Sequence, residues 1–374
     1  MSDILIKDIE TLLVDLPTIR AHKLSMTTMA CQTMVIIRLR LSDGTEGIGE
    51  ASTIGGLAYG PESPEGIKQT IDGYLAPLLI AQPSHNLNAL RARLDHQARG
   101  NSFAKSGLET ALLDAEGKRR GLSVAELLGG ARCHHLPVLW TLASGDTQKD
   151  IDEAFQRFEE HRHCDFKLKI GANSVDQDVR HVGAIKAALG DRASVRVDVN
   201  QAWDEATAAR GIDALEAAGI DLVEQPVPAR EYAGLTRLAQ RFVVPMLADE
   251  AVHDARDGFT LAAGGFGDAF ALKIAKAGGP RSVLELAHVA RAAGVSLYGG
   301  TMLEGSIGTA AALHAWATLG ELTWGTEMFG PLLLKDDIVV EPLNYHDFGV
   351  DLPSGPGLGV RLDEDKLNHY RRRD

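Results

Sequence analysis

The α/β fold class this chain predicts is a (β/α)8-type barrel preceded by a small α+β domain. Three observations predict it. Strand-like and helix-like segments alternate from Gly129-Gly130 to about residue 330. Five apolar runs in that region, DFKLKIG, VRVDVNQ, IDLVEQP, VPMLADE and AFALKIA, are each closed or interrupted by charge, at steps of about 25 to 30 residues from Lys169 onward, the length of one strand-plus-helix unit. Residues 1–130 follow a different order, with strand-like runs first and helical patterns after them.

The 374 residues exceed one ordinary domain and can bury a large core. With 45% hydrophobic and 24% charged residues, the composition is that of a globular protein. The start, MSDILIKDIE, is charged where a signal peptide needs an apolar stretch. No run of about 18 apolar residues is found, so no membrane span is expected. A net charge of −13 argues against generic nucleic-acid binding. The basic run Tyr370-Arg371-Arg372-Arg373 reads as a solvated terminus. Cys31, Cys133 and Cys164 are too few and too far apart for a disulfide framework or a cysteine zinc site; they read as small buried hydrophobes in a cytoplasmic protein.

In the first part, residues 4–16 and 32–41 read as strands, and Ser42-Asp43-Gly44 turns the chain into a partner strand at 45–51, giving an antiparallel meander. Helical patterns follow at 64–80, 86–98 and 103–120, the last ending at Gly121. Barrel strands are expected near 136–142, 165–170, 194–199, 219–224, 244–248, 268–274, 295–299 and 322–327. Helices are expected at 149–162, 176–189, 205–217 and 281–293, among others. The last unit is irregular, since Gly330-Pro331 falls where its helix should start. The resulting division is 1–130, 131–330 and a tail, 331–374, expected to return to the first domain. An open doubly wound sheet would need a glycine fingerprint after its first strand, and neither Gly47-Ile48-Gly49 nor Gly299-Gly300 has that context.

Residues two apart on a strand share a face, so Lys167 and Lys169 point the same way, and so do Asp198 and Asn200. In a barrel that face is the interior. Two adjacent ammonium groups are expected to lower the pKa of one of them, which suits proton transfer near neutral pH. Asp198, Glu224 and Asp249 come from three successive strands and offer only hard oxygen donors, which suit Mg²⁺ or Mn²⁺ better than zinc. Lys273, on the next strand, would face the lysine pair across the mouth. A substrate carboxylate between metal and lysines would have its α-carbon placed for proton removal or addition. Each charge alone reads equally as a solvated surface group or helix cap; the register of all six favours a site.

At this point the chain resembles the enolase superfamily, in its muconate lactonizing subgroup. The resemblance runs through VDLPTIRAHKL, STIGGLAYGPESPEGIK, WTLASGDT, KLKIGAN, RVDVNQAWDE, EQPV, ADE, LKIAKAGGP, YGGTMLEGSIGT and GTEMFGPLLL, nearly the whole chain. It implies that the first domain caps the barrel, with loops near 19–26 and 50–60 closing over substrate. It implies Lys169 as the proton-transfer residue, Lys167 beside it, Lys273 opposite and Glu327 as a catalytic partner. Ile54, Tyr59 and Phe329 would line the substrate pocket with Asn200. His22 and Lys23, read from the residues alone, either attract a carboxylate from the cap or belong to a mobile solvated loop, and the second reading is at least as good as the first. The implied cofactor is Mn²⁺, with Mg²⁺ the alternative, and the implied assembly a homo-octamer. The implied reaction is closure of the dicarboxylate cis,cis-muconate to its lactone in catechol catabolism. Chloromuconate cycloisomerisation and racemisation or epimerisation between opposed lysines stay open, as does dicarboxylate binding without turnover. His161 and His163 read as solvated.

Overall fold

The described residues up to Ser52 form a β-meander, because their apolar residues alternate and their turn residues fall between the runs. In the computed structural model, which describes residues 3–23 and 27–373 and of 22 and 23 the backbone alone, strands β1 (Ile6–Lys23), β2 (Thr28–Leu41) and β3 (Glu46–Ser52) pair antiparallel in the order β1-β2-β3. The central strand buries Met34, Val35, Ile36 and Ile37 in succession, since both of its faces are covered. Helix Ser102–Arg120 lies on this sheet at close range. A Cβ at Gly47 would stand 2.1 Å from the Ala111 carbonyl, and one at Gly49 2.1 Å from that of Gly107, so glycine sets the approach. The helix ends at Gly121 in the left-handed conformation, after three basic residues.

The helix expected over 64–80 is broken into Pro64–Thr70, a π-helical turn Ile71–Leu75, and Ala76–Leu79. Pro77 supplies the reason. Its ring has no N–H to donate and crowds the carbonyl four residues back, and a wider turn relieves both.

The strand expected at 136–142 divides in two. β4 (His135–Pro137) turns away to pair antiparallel with the tail strand β13 (Gly349–Asp351), which also pairs with β12 (Tyr345–His346). Only β5 (Trp140–Leu142) enters the parallel sheet, followed by β6 (Asp165–Lys169), β7 (Ser194–Asp198), β8 (Leu222–Glu224), β9 (Met246–Ala248), β10 (Ala269–Leu272) and β11 (Ser296–Gly299). These seven strands curl, and the eighth, expected at 322–327, is reduced to Thr326. That residue bridges Gly299 on one side and Val138 on the other and so closes the (β/α)8-type barrel. Gly325, at φ +63°, turns the chain just before Thr326 and prevents a longer strand. The helix after it is four residues long, Gly330–Leu333.

The tail touches both earlier parts. Lys335 N–H donates to the Pro17 carbonyl and Arg372 N–H to that of Leu13. Arg372 is no free terminus: its guanidinium pairs with Asp15 at 2.7 Å and Glu65 at 2.5 Å, and with Thr33 the pairing holds Asp15 below the usual carboxylate range despite partial burial. The buried helix Ser306–Leu319 packs between β3 and the barrel.

Candidate active site

Register places the charges. In the parallel sheet Lys169 lies beside Asp198, and Asp198 beside Glu224, all at strand C-terminal ends. Alternation turns the same face of β6 and β7 inward, which brings Lys167 and Arg196 side by side one layer deeper. Asp249 follows the end of β9, and Lys273 follows the end of β10 as the N-cap of the short helix Ile274–Ala277. Glu327 follows Thr326, fixed by its N–H on the Gly299 carbonyl at 2.7 Å. Every one of these side chains but that of Lys169 is nearly sealed from solvent.

Each acid is engaged by an ammonium. Lys169 Nζ donates to Asp198 Oδ2 at 2.5 Å, Lys167 to Glu224 Oε2 at 2.6 Å and also to Glu327 Oε1, and Lys273 to Asp249 Oδ2 at 2.7 Å. The expected lowering of one lysine pKa is therefore not what the structure gives. Burial disfavours the charge on both, but Glu224, Glu327 and Asp198 raise Lys167, and Asp198 raises Lys169 over the repulsion of Lys167. Both stay ammonium. Glu224 is pushed well up by burial and by Asp198, whereas Asp249, though buried, is held well down by Lys273 and Lys276.

A narrow cleft opens above this layer, lined by Ile54, Tyr59, Thr141, Lys169, Asn200, Lys273, Thr301, Leu303, Glu327 and Phe329. All four residues expected to contact substrate, Ile54, Tyr59, Asn200 and Phe329, thus share it with Lys169, Lys273 and Glu327. Lys167, Asp198, Glu224 and Asp249 lie beneath. Two contacts tie the first domain to the mouth. Tyr59 OH donates to Asp249 Oδ2 at 2.8 Å and accepts from Lys273 at 2.9 Å. Arg20 pairs with Glu153 at 2.7 Å and donates to the Thr141 carbonyl. The expectations for the His22 and Lys23 side chains and for residues 24–26 lie outside the described residues.

Sequence reasoning missed three members of the cluster. Lys276 is buried and donates to Asp249 Oδ1 and to its carbonyl, each at 2.6 Å. Burial, reinforced by Lys273, lowers its pKa against the pull of Asp249. It reaches back because the chain turns helical at Ile274, which puts 276 one turn from 273; the signal was KIAK at helical rather than strand spacing. Gln225 is a fully buried brace whose Oε1 accepts from the N–H groups of Asp249 and Ala251 at 3.0 and 3.1 Å. Glu250 accepts from Asn200 at 3.1 Å, and burial with Asp249 and Asp198 nearby pushes its carboxyl up to about 7. Asn200, Gln201, Gln225 and Leu303 all have positive φ, so backbone strain gathers at this end of the barrel.

Two other expectations are corrected. His163 is buried, not solvated. Its Nδ1 meets the Val138 carbonyl at 2.8 Å and its ring stacks on Trp140 at 5.2 Å, which follows from its place directly before β6; His161 is exposed but stacks on Phe348. The cysteines are free thiols, but Cys31 is exposed and the others half-buried.

By donor type the residues of this site suit a hard divalent cation. Its donors are carboxylate oxygens, and two further buried oxygens, Asn200 Oδ1 and Glu250 Oε2, have no hydrogen-bond partner. Acids outnumber bases by one: Asp198, Glu224, Asp249, Glu250 and Glu327 against Lys167, Lys169, Lys273 and Lys276. Residues 8–129 match the mandelate racemase/muconate lactonizing enzyme N-terminal domain, and residues 149–366 the enolase C-terminal domain-like family. The chain is 60% identical to muconate cycloisomerase 1 of Pseudomonas putida, each covered over 100% of its length. It is 47% identical to a chloromuconate cycloisomerase of Delftia acidovorans, covering 98% of this chain and 99% of that one. The crystal structure of muconate lactonizing enzyme from Pseudomonas fluorescens complexed with muconolactone superimposes with a TM-score of 0.98, at 58% identity over 99% of this chain and 100% of that one.

Proposed function

The chain belongs to the mandelate racemase/muconate lactonizing enzyme family of the enolase superfamily, and from that premise we propose that it is an isomerase closing cis,cis-muconate to muconolactone. The observation that carries the reading is one cleft that joins Lys169, Lys273 and Glu327 to Ile54, Tyr59 and Phe329, directly above the Asp198, Glu224 and Asp249 layer.

The substrate supplies its own nucleophile. A carboxylate oxygen at one end adds to the diene carbon that completes a five-membered ring, and the electron pair of that double bond moves to the carbon α to the other carboxylate. Ring closure inside one molecule is favoured by effective molarities of roughly 10⁵–10⁸ M. The protein must then hold the chain bent and deliver one proton. Lys169, an ammonium that faces the cleft, gives that proton to the α-carbon, and in the reverse direction takes it back as the amine. Lys167 neutralises Glu224 and Glu327 below, and Asp198 anchors the Lys169 ammonium. Lys273 donates to Asp249 and Tyr59, which leaves it a fixed cation facing the developing charge rather than a second base; this favours lactonisation over racemisation. Ile54 and Phe329 exclude water, and Phe329 is braced edge-on by Trp140 at 5.4 Å. Glu327 assists proton transfer through Lys167.

Members of this superfamily bind a divalent metal. Here Asp198, Glu224 and Asp249 would hold it, with Mn²⁺ the proposed ion and Mg²⁺ the alternative; when bound, it supplies positive charge for the carboxylate that gains electron density. The proposal extends to domain limits at residues 130 and 330, a cytoplasmic location and a homo-octamer, which light scattering tests. None of the helices among the described residues is long and apolar enough to cross a membrane.

The test is the conjugated-diene absorbance of cis,cis-muconate with enzyme and Mn²⁺, with and without chelator. Loss of the signal only in the metal-loaded sample is expected; a signal that persists at high enzyme concentration sinks the assignment. A higher kcat/KM for 2-chloromuconate than for muconate would move the chain to the chloromuconate type.

A further inference from the structure

We propose a second metal site on the closed side of the barrel, formed by His135, His346 and Asp351 and suited to Zn²⁺ or a similar nitrogen-preferring divalent cation. These residues come from β4, β12 and β13, and their ligand atoms all lie within 4.8 Å of one another. The sheet register brings them together: Asp351 is the direct cross-strand partner of His135, and His346 pairs with Gly349 on the same small sheet. Gly349 makes room for the first imidazole. A Cβ there would stand 2.5 Å from His135 Nε2 and 3.0 Å from Cε1. Side-chain exposures of 36 to 44% leave the trio open to a cation from solvent.

The hydrogen-bond pattern is the main argument. Each imidazole has an acceptor at both ring nitrogens. His135 meets Asp351 Oδ1 with Nδ1 at 2.9 Å and the Asp347 carbonyl with Nε2 at 3.3 Å. His346 meets Asp351 Oδ2 with Nε2 at 2.9 Å and Asp347 Oδ2 with Nδ1 at 3.0 Å. A neutral imidazole carries one N–H, so it serves one acceptor and turns a lone pair on the other. At low pH a second proton on the ring resolves the conflict, which Asp347 and Asp351 favour at His346. At mildly alkaline pH, with the N–H groups on Asp347, both lone pairs face Asp351 and a cation between them does so. The acceptor behind each ring is then the outer partner that metal-bound histidines usually have. Asn344 Nδ2, at 2.7 Å from Asp351 Oδ2, orients the carboxylate in the same way.

Two nitrogens and one carboxylate oxygen favour Zn²⁺ over Mg²⁺ or Ca²⁺. Around tetrahedral zinc, bonds of about 2.0–2.1 Å separate neighbouring ligands by about 3.3 Å. The present 2.9 Å contacts therefore need to open by a few tenths of an ångström. Bound there, the ion would clip the tail hairpin to β4, well away from the acid layer at the mouth.

The experiment is calorimetric titration of the full-length protein with Zn²⁺ at mildly alkaline pH, in excess Mg²⁺ to occupy the acid layer. One equivalent is expected to bind, at least 100-fold more weakly in His346→Ala and His135→Ala and about 10-fold more weakly in Asp351→Asn. Zinc should raise the melting temperature of the parent and leave that of His346→Ala unchanged. Co²⁺ should give visible bands of nitrogen ligation that vanish in the same variant. The proposal is overturned if no zinc binds, if His346→Ala binds it as the parent does, or if Asp198→Asn abolishes the uptake.

Discussion

Strand β7 carries two charged residues on its inward face, Arg196 near the closed end of the barrel and Asp198 at the open end, and their surroundings differ. Arg196 is spent on fixed partners. It donates to Asp165 at 3.0 Å, to Ser194 Oγ at 3.1 Å and to the Trp324 carbonyl at 2.5 Å, and its guanidinium lies 5.4 Å from the Trp324 ring. Positive φ at Trp324's neighbour falls on a glycine, which bears it without strain. Asp198 stands in a cluster where Lys167 is shared by Glu224 and Glu327 and where Asp249 takes two lysines, beside Asn200 and Glu250 with unpartnered oxygens, on a backbone held at positive φ in non-glycine residues. One end of the strand uses a buried charge to close the structure. The other keeps ionic partners that a cation or a dicarboxylate can displace. The end proposed to carry the chemistry is the one where buried oxygens are left without a partner.

The sharpest way to break this contrast is to remove one charge from each end. Lys169→Ala should lower kcat by about 10²–10⁴-fold, the range for a lost general acid or base, with the circular dichroism and melting temperature nearly retained. If kcat fell less than tenfold, the proton would come from elsewhere. Arg196→Met should do the reverse. It leaves Asp165 and the Trp324 carbonyl without their donor at a cost of about 3 kcal/mol in urea unfolding, with activity per folded molecule kept within a few-fold. A large kcat loss in a stably folded Arg196→Met would erase the division between the two ends.

A smaller effect tests whether strain and bracing at the mouth serve the metal site. Gln225→Leu removes the acceptor for two buried N–H groups, one of them that of Asp249 itself. Metal affinity should fall about 10- to 100-fold, as for other outer partners of ligands, and added Mn²⁺ should restore most of the turnover. Unchanged affinity by calorimetry would reduce Gln225 to a packing residue.

The same contrast explains what was legible in the chain. The ladder from Lys167 to Lys273 could be read because strand periodicity is local: a charge at the end of an apolar run has one inward or outward choice, and register follows. Ile54, Tyr59, Phe329 and Glu327 also meet in the cleft, but only resemblance pointed to them, since an apolar residue in a loop carries no sign of what it faces. Lys276 was hidden by a change from strand to helix within four residues. Gln225 was hidden because its role depends on N–H groups more than twenty residues away. The split at Pro137 and the shrinking of the eighth strand to Thr326 depend on a tail strand that competes for β4, a contact across more than two hundred residues that no local pattern encodes.

His163 gives the mildest test, at the closed end. It is buried directly before β6 with its Nδ1 on the Val138 carbonyl, and burial pushes its pKa down from 6.5 to about 4. Because the native value lies below the unfolded one, the unfolded chain takes up the proton first. Stability is then complete above about pH 6.5 and is lost as pH falls toward 4. Between pH 7 and about 5.5 this amounts to about 1 kcal/mol. Glu50 acts in the opposite sense: buried and raised to about 7, it keeps a proton that the unfolded chain releases, so acidification over that interval favours the native state. Glu250, also raised to about 7, acts with Glu50, and His314, lowered to about 4 by burial, acts with His163, so the net pH profile mixes all four groups and the informative quantity is a difference. His163→Gln, neutral throughout, should lose about 1 kcal/mol less than the parent between those two pH values in urea unfolding. Equal losses would mean that His163 is solvated in solution and that the closed end tolerates a charge there.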